Sequence, residues 1–271
     1  MLRTGVRSPY SARGFDYEGL QPPACPPGWR VGPPDFVGVG TQRSGTKWWY
    51  ENVVDHPGVT RVSGPHKELH FFDPLADVDL SPERAERYHR FFPRPDGAIV
   101  GEWTPRYMSN FWTPGLLHEA APEARLLVLL RDPVERYLSG VALESFRASA
   151  RGDAPVTLIR TDAFHRSRYA AQLANLLRHF PRERILVQQY ERCLEDPLGE
   201  LGRTHRFLGL EPIDRLPRPV DARVGKKLEK LSLSPAKRAD LVAALVDDVR
   251  ELVEGFPEID VELWPNVREA I

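Results

Sequence analysis

Cysteine is almost absent: two occur in 271 residues. Cys25 and Cys193 make no disulfide framework, and such scarcity fits a reducing compartment. Long apolar runs are missing too. Nothing approaches the ~20 residues that a membrane-crossing helix needs. The opening MLRTGVRSPYSARGFDYEG has no secretory apolar core. The expectation is a cytoplasmic protein with no membrane partner. Neither sign of charge is in excess, with 37 basic and 38 acidic residues and a net charge of −1. Without a global basic field, nucleic acid is not an expected partner, and any anion site must be built locally. Lysine is scarce beside arginine, alanine and proline, the bias expected of a GC-rich bacterial genome.

What is present is ordinary for a globular enzyme: 41% hydrophobic and 28% charged residues. Residues 1–34 are rich in proline, glycine and arginine and lack periodicity, which suggests an extended N-terminal arm. Residues 35–271 read as a single domain. Four apolar runs read as buried strands: Phe36–Val39, Ala98–Gly101, Leu126–Leu130 and Ile185–Gln188. Helical patterns cover Trp48–Val54, Val134–Ala150, Phe164–Phe180, Leu198–Leu208 and Pro235–Val253, with Gly209 as a C-cap. Alternation of this kind predicts an α/β fold, with a P-loop-like central parallel sheet flanked by helices on both faces.

Gly38 to Trp49 reads GVGTQRSGTKWW, directly after the apolar Phe36 and Val37. A strand entering a glycine- and hydroxyl-rich turn and then a helix forms a phosphate cradle. Turn N–H groups converge on one spot, and the helix N-terminus adds partial positive charge. Arg43 and Lys47 add two full charges. The expected ligand carries a phosphate or phosphosulfate. A triphosphate loop needs Gly, four residues, Gly, Lys and then Ser or Thr. Gly40 and Gly45 keep that spacing, but Thr46 follows and Lys47 comes one place late. One place is about 100° around a helix.

A second string, RLLVLLRDPVERYLSG, spans residues 125–140. Arg131 ends the strand where open α/β sheets bind ligands, and Ser139 lies two turns into the next helix. Arginine offers a bidentate fork to phosphate, and serine a hydroxyl donor. Taken alone, Arg131 pairs with Asp132 or Glu135 and merely closes the strand.

The two strings, in this order, resemble the PAPS-dependent sulfotransferase superfamily, whose donor is 3′-phosphoadenosine 5′-phosphosulfate (PAPS). The resemblance implies that Arg43, Ser44, Gly45, Thr46, Lys47 and Trp48 hold the 5′-phosphosulfate side. It implies that Arg131, Pro133, Arg136 and Ser139 hold the 3′-phosphate, and that the product is adenosine 3′,5′-bisphosphate. Lys67-Glu68-Leu69-His70-Phe71-Phe72-Asp73 is similar to the KExHFFD string of the heparan sulfate and carbohydrate branch. Gly101-Glu102-Trp103-Thr104-Pro105-Arg106-Tyr107 is similar to its EKxPxY string. Coverage runs roughly from residue 35 to 265.

Carried over, the family's roles make Glu68 the base for the acceptor hydroxyl, with His70 as the second candidate. Arg43 and Lys47 would stabilise charge on the leaving phosphate. Lys226 and Lys227 fall where relatives carry a loop over the nucleotide. His66, Glu68 and His70 match no metal-ligand spacing, and no metal is expected. Trp103 stands where the branch has lysine, which weakens the case for an anionic polysaccharide. Trp48, Trp49, Trp103 and Trp112 are candidates to stack on a sugar or aromatic acceptor, and Trp48 also on adenine. The expected reaction is sulfuryl transfer to a hydroxyl of a small molecule or carbohydrate. The alternatives are a P-loop-type nucleotide kinase and a non-catalytic nucleotide-binding module.

Overall fold

The computed structural model describes residues 20–62, 68–151, 156–220, 228–229 and 231–271. Five strands form its sheet: β1 (Phe36–Gly40), β2 (Val59–Thr60), β3 (Ile99–Trp103), β4 (Arg125–Leu130) and β5 (Ile185–Gln189). All pairings are parallel, in the order β2-β3-β1-β4-β5. Strand side chains alternate between the two faces. On β4, Leu126, Val128 and Leu130 enter one core while Leu127 and Leu129 enter the other. Burial on both faces explains why these strands read as unbroken apolar runs.

One face is covered by α1 (Thr46–Val54) and α8 (Pro197–Leu208). The other carries α2 (Pro82–His89), α3 (Thr113–Ala120), α4 (Pro133–Arg151), α6 (Tyr169–Leu177) and α9 (Pro235–Gly255). Two further helices, α5 (Val156–His165) and α7 (Tyr190–Glu195), complete the described set. Gly38 has a steric reason: a Cβ there would sit 1.9 Å from the Trp103 ring. Gly209 ends α8 at φ +77° as a left-handed cap.

One expected helix is two. Instead of a continuous Phe164–Phe180, α5 stops at His165 and α6 starts at Tyr169. Arg136 causes the break. Its Nε donates to Ser167 Oγ at 2.7 Å, and its Nη2 donates to the Ala163 carbonyl. Ser167 in turn donates to the Pro133 carbonyl at 2.9 Å. These bonds hold the chain out of helical geometry.

Most of the expected N-terminal arm, residues 1–19, lies outside the described residues. Residues 20–34 are fastened to the domain: Arg30 bridges Arg94, and Arg87 Nη2 donates to the Leu20 carbonyl at 2.7 Å.

Candidate active site

The C-terminal ends of β1, β3 and β4 lie side by side, so the loops leaving them share one edge of the sheet. The β1 loop is tied to its neighbour. Thr41 N and Oγ1 both donate to the Leu129 carbonyl, at 3.0 and 2.9 Å. The Ser44 hydroxyl lies 2.5 Å from Thr41 Oγ1, so it faces into the loop. Gly45, at φ +81°, delivers the chain into α1 with no side-chain cap. The first N–H of α1 that bonds back is Trp49, to the Gly45 carbonyl at 3.1 Å. The earlier N–H groups have no partner within the helix, so an anion fits there. Lys47 is exposed on the first turn.

Arg43 joins the two anion-binding strings. Its Nε donates to Ser139 Oγ at 2.9 Å, and its carbonyl accepts from Arg131 Nη1 at 3.1 Å. Burial, then the nearby Arg131 and Arg147, lower the Arg43 pKa, and Glu144 opposes them. Such crowding of cations is relieved by an anion. Arg131 also pairs with Glu135 at 3.3 Å and lies 5.4 Å above the Tyr190 ring. Tyr190 is a neighbour that the sequence did not announce. Its ring would lie 2.5 Å from a Cβ on Gly45, so it packs beneath both strings. Arg166 reaches the same loop, donating from Nη1 to Gln42 Oε1 at 3.0 Å.

Beside β3, His70 is held between two carboxylates. Its Nδ1 lies 2.8 Å from Asp73 Oδ2 and its Nε2 lies 3.1 Å from Glu68 Oε2. Burial would lower its pKa, but hydrogen bonds and charge from Asp73 and then Glu68 outweigh burial and raise it to about 9. Both ring nitrogens face carboxylate oxygens, a setting that favours the protonated ring over the second-base role expected of His70. Glu68 and His70 do share a side, but not through plain strand alternation, because His70 sits at φ +51°. Asn110 Nδ2 steadies Asp73 at 3.2 Å.

Other expectations need correction. Arg136 is wholly buried and engaged with Ser167 and Ala163, so it cannot reach a 3′-phosphate. Burial lowers its pKa to about 10. Trp103 is buried too, and its indole donates to the Gly40 carbonyl at 3.1 Å. Trp49 is buried on Gln188, at 3.1 Å. Neither presents a face to an acceptor. Trp48 is 2% exposed and donates to the Arg218 carbonyl at 3.1 Å. Lys226 and Lys227, like His66 and Lys67, lie outside the described residues.

A parallel sheet whose first strand feeds a glycine turn and an uncapped helix start places the chain among P-loop-like α/β proteins. The model of a family described as "Sulfotransferase family" matches residues 83–214. Heparan sulfate glucosamine 3-O-sulfotransferase 6 of Mus musculus is 36% identical over 216 residues, 76% of this chain and 60% of that protein. Heparan sulfate glucosamine 3-O-sulfotransferase 3B1 of Homo sapiens is 33% identical over 191 residues, 66% of this chain and 47% of that protein. A sulfotransferase structure from Alicyclobacillus acidocaldarius shares the fold at TM-score 0.66 and 23% identity, covering 87% of this chain and 100% of that one. The chain belongs to the sulfotransferase superfamily. It spans about half to 60% of the length of these curated relatives.

Proposed function

We propose that the protein transfers a sulfuryl group from PAPS to a hydroxyl of a carbohydrate or small-molecule acceptor. The observation that carries this reading is Arg43, whose side chain holds Ser139 while its carbonyl holds Arg131. Two cationic sites are thereby held side by side, as a nucleotide with phosphate groups at both ends requires. A triphosphate kinase has no use for the second site, and the late Lys47 argues against it as well.

The reaction needs an in-line displacement with charge building on the leaving phosphate. Glu68 accepts the acceptor proton as the new S–O bond forms. The S–O bond to the 5′-phosphate breaks, and its electron pair stays with adenosine 3′,5′-bisphosphate. Arg43, Lys47 and the N–H groups opening α1 take up that charge. Arg131 and Ser139 hold the other phosphate. The His70 cation, pinned by Asp73, aims the Glu68 carboxylate.

The acceptor class follows the relatives, whose names specify glucosamine units of heparan sulfate. Trp103 supplies no cation to such a polyanion, which favours a less charged sugar or a small hydroxyl compound.

Acceptors are screened with labelled donor, and sulfated product is read by mass spectrometry. With an acceptor found, Glu68→Gln should lower kcat at least 100-fold, the usual contribution of a general base. Affinity for adenosine 3′,5′-bisphosphate should stay within about twofold, because Glu68 takes no part in holding the nucleotide. Turnover that survives the substitution refutes the assignment of Glu68.

A further inference from the structure

Glu102, the penultimate residue of β3, has no exposed surface. Four donors converge on its carboxylate. Leu69 N at 3.0 Å and Thr104 Oγ1 at 2.6 Å reach Oε2. Tyr88 Oη at 2.9 Å and Tyr107 Oη at 3.1 Å reach Oε1. Two of these hydroxyls are also acceptors. Thr104 Oγ1 takes the N–H of His70 at 3.2 Å, and Tyr107 Oη takes that of Phe71 at 2.8 Å. A hydroxyl has a single proton to give, and here Glu102 receives it.

The backbone N–H groups of three consecutive residues, Leu69, His70 and Phe71, therefore end on one carboxylate. The first does so directly and the others through one hydroxyl each. The turn they form carries the His70 ring, and Glu68, whose carboxylate meets that ring, directly precedes it. His70 holds φ +51° there, a conformation a non-glycine residue keeps only when its surroundings enforce it.

We propose that Glu102 is a positioning residue for sulfuryl transfer, its buried carboxylate fixing the 69–71 backbone so that Glu68, His70 and Asp73 hold their mutual geometry. The proposal rests on Glu68 being the base. An ionised carboxylate suits the four donors. Burial pushes the Glu102 pKa up, and the hydrogen bonds from Thr104, Leu69, Tyr88 and Tyr107 oppose that push. An amide cannot replace it fully: its oxygen can serve Leu69 and Thr104, but its NH2 then faces hydroxyls that need an acceptor.

The test compares Glu102→Gln, Tyr107→Phe and Glu68→Gln. Tyr107→Phe removes only the bridge to Phe71. Glu102→Gln should lower kcat by roughly 10- to 100-fold, the scale of loss when a catalytic group is misplaced by about an ångström. Tyr107→Phe should lower it several-fold. Neither should change the affinity for adenosine 3′,5′-bisphosphate. In both, the His70 imidazole, followed by NMR without substrate, should titrate at lower pH than in the unaltered protein as its clamp loosens. Unchanged kcat and unchanged His70 titration, with turnover abolished in Glu68→Gln, would overturn the Glu102 proposal alone. Turnover persisting in Glu68→Gln would overturn the base reading, while the His70 titration still judges Glu102. If Glu102→Gln does not fold, Tyr107→Phe decides by the same readouts.

Discussion

His70 is the residue whose surroundings make the sharpest demand on pH. Its two carboxylate partners raise its pKa to about 9 from an ordinary 6.5. A histidine whose folded pKa is raised stabilises the fold fully below 6.5, and that contribution is lost as pH rises through about 9. His70→Asn should therefore flatten the decline in stability across that window, as read by melting temperature at a series of pH values. An identical decline in the variant would mean that His70 is not the group responsible. Much of this site was legible in the sequence. Arg43, Lys47, Arg131, Ser139 and Glu68 stand in strings whose residue types suit anion binding and proton transfer. Tyr190 gave no such signal, and Glu102, although it stands in the EKxPxY-like string, gave no sign that it would be buried beneath the 69–71 turn. One comes from the end of a distant strand, and the other is a buried carboxylate whose donors arrive from α2, the 69–71 turn and the loop after β3. Asp73 had a faint one, three residues beyond His70. The pattern misled at Arg136, where an arginine in the second string turns inward. Periodicity places a residue on a helix but does not say whether its guanidinium has been taken by a neighbouring carbonyl.

That same Arg136 acts on a whole element. By taking the Ala163 carbonyl and the Ser167 hydroxyl it separates α5 from α6. Replacing it by Met should remove both bonds, leaving Ser167 Oγ with its own donation but no donor to accept from, and cost about 1–3 kcal/mol of stability. Binding of adenosine 3′,5′-bisphosphate should remain within about twofold of the unaltered protein. A large loss of binding without loss of stability, seen by calorimetry beside denaturant unfolding, would restore Arg136 to the phosphate site. Strands were the readable elements, because burial on two faces leaves four of them nearly free of polar residues. The two-residue β2 is too short to show a pattern. Helix α2 was missed although Ser81 and Pro82 open it with a capped first turn, Ser81 Oγ accepting from Arg84 N at 3.3 Å. Its face toward the core buries little besides Tyr88, so the apolar period is faint. The α5–α6 break was invisible, since its cause lies a helix away in the chain.

At the scale of the molecule, the sheet order sets the function. Placing β1 between β3 and β4, with β2 on the far side of β3, gathers three loops at one edge: the glycine turn after β1, the Arg131 end of β4 and the turn after β2 that bears Glu68. With a net charge of −1, the protein offers no broad field to draw an anion, so affinity must come from that edge. The central claim is that both ends of a bisphosphorylated adenosine are grasped there. Titration calorimetry of the unaltered protein with adenosine 3′,5′-bisphosphate and with ATP, repeated on Arg131→Ala, tests it most directly. The account predicts that the bisphosphate binds at least tenfold more tightly than ATP, a difference of about 1.4 kcal/mol, and that Arg131→Ala removes this preference. ATP binding as tightly as the bisphosphate, or a preference that survives Arg131→Ala, would contradict it.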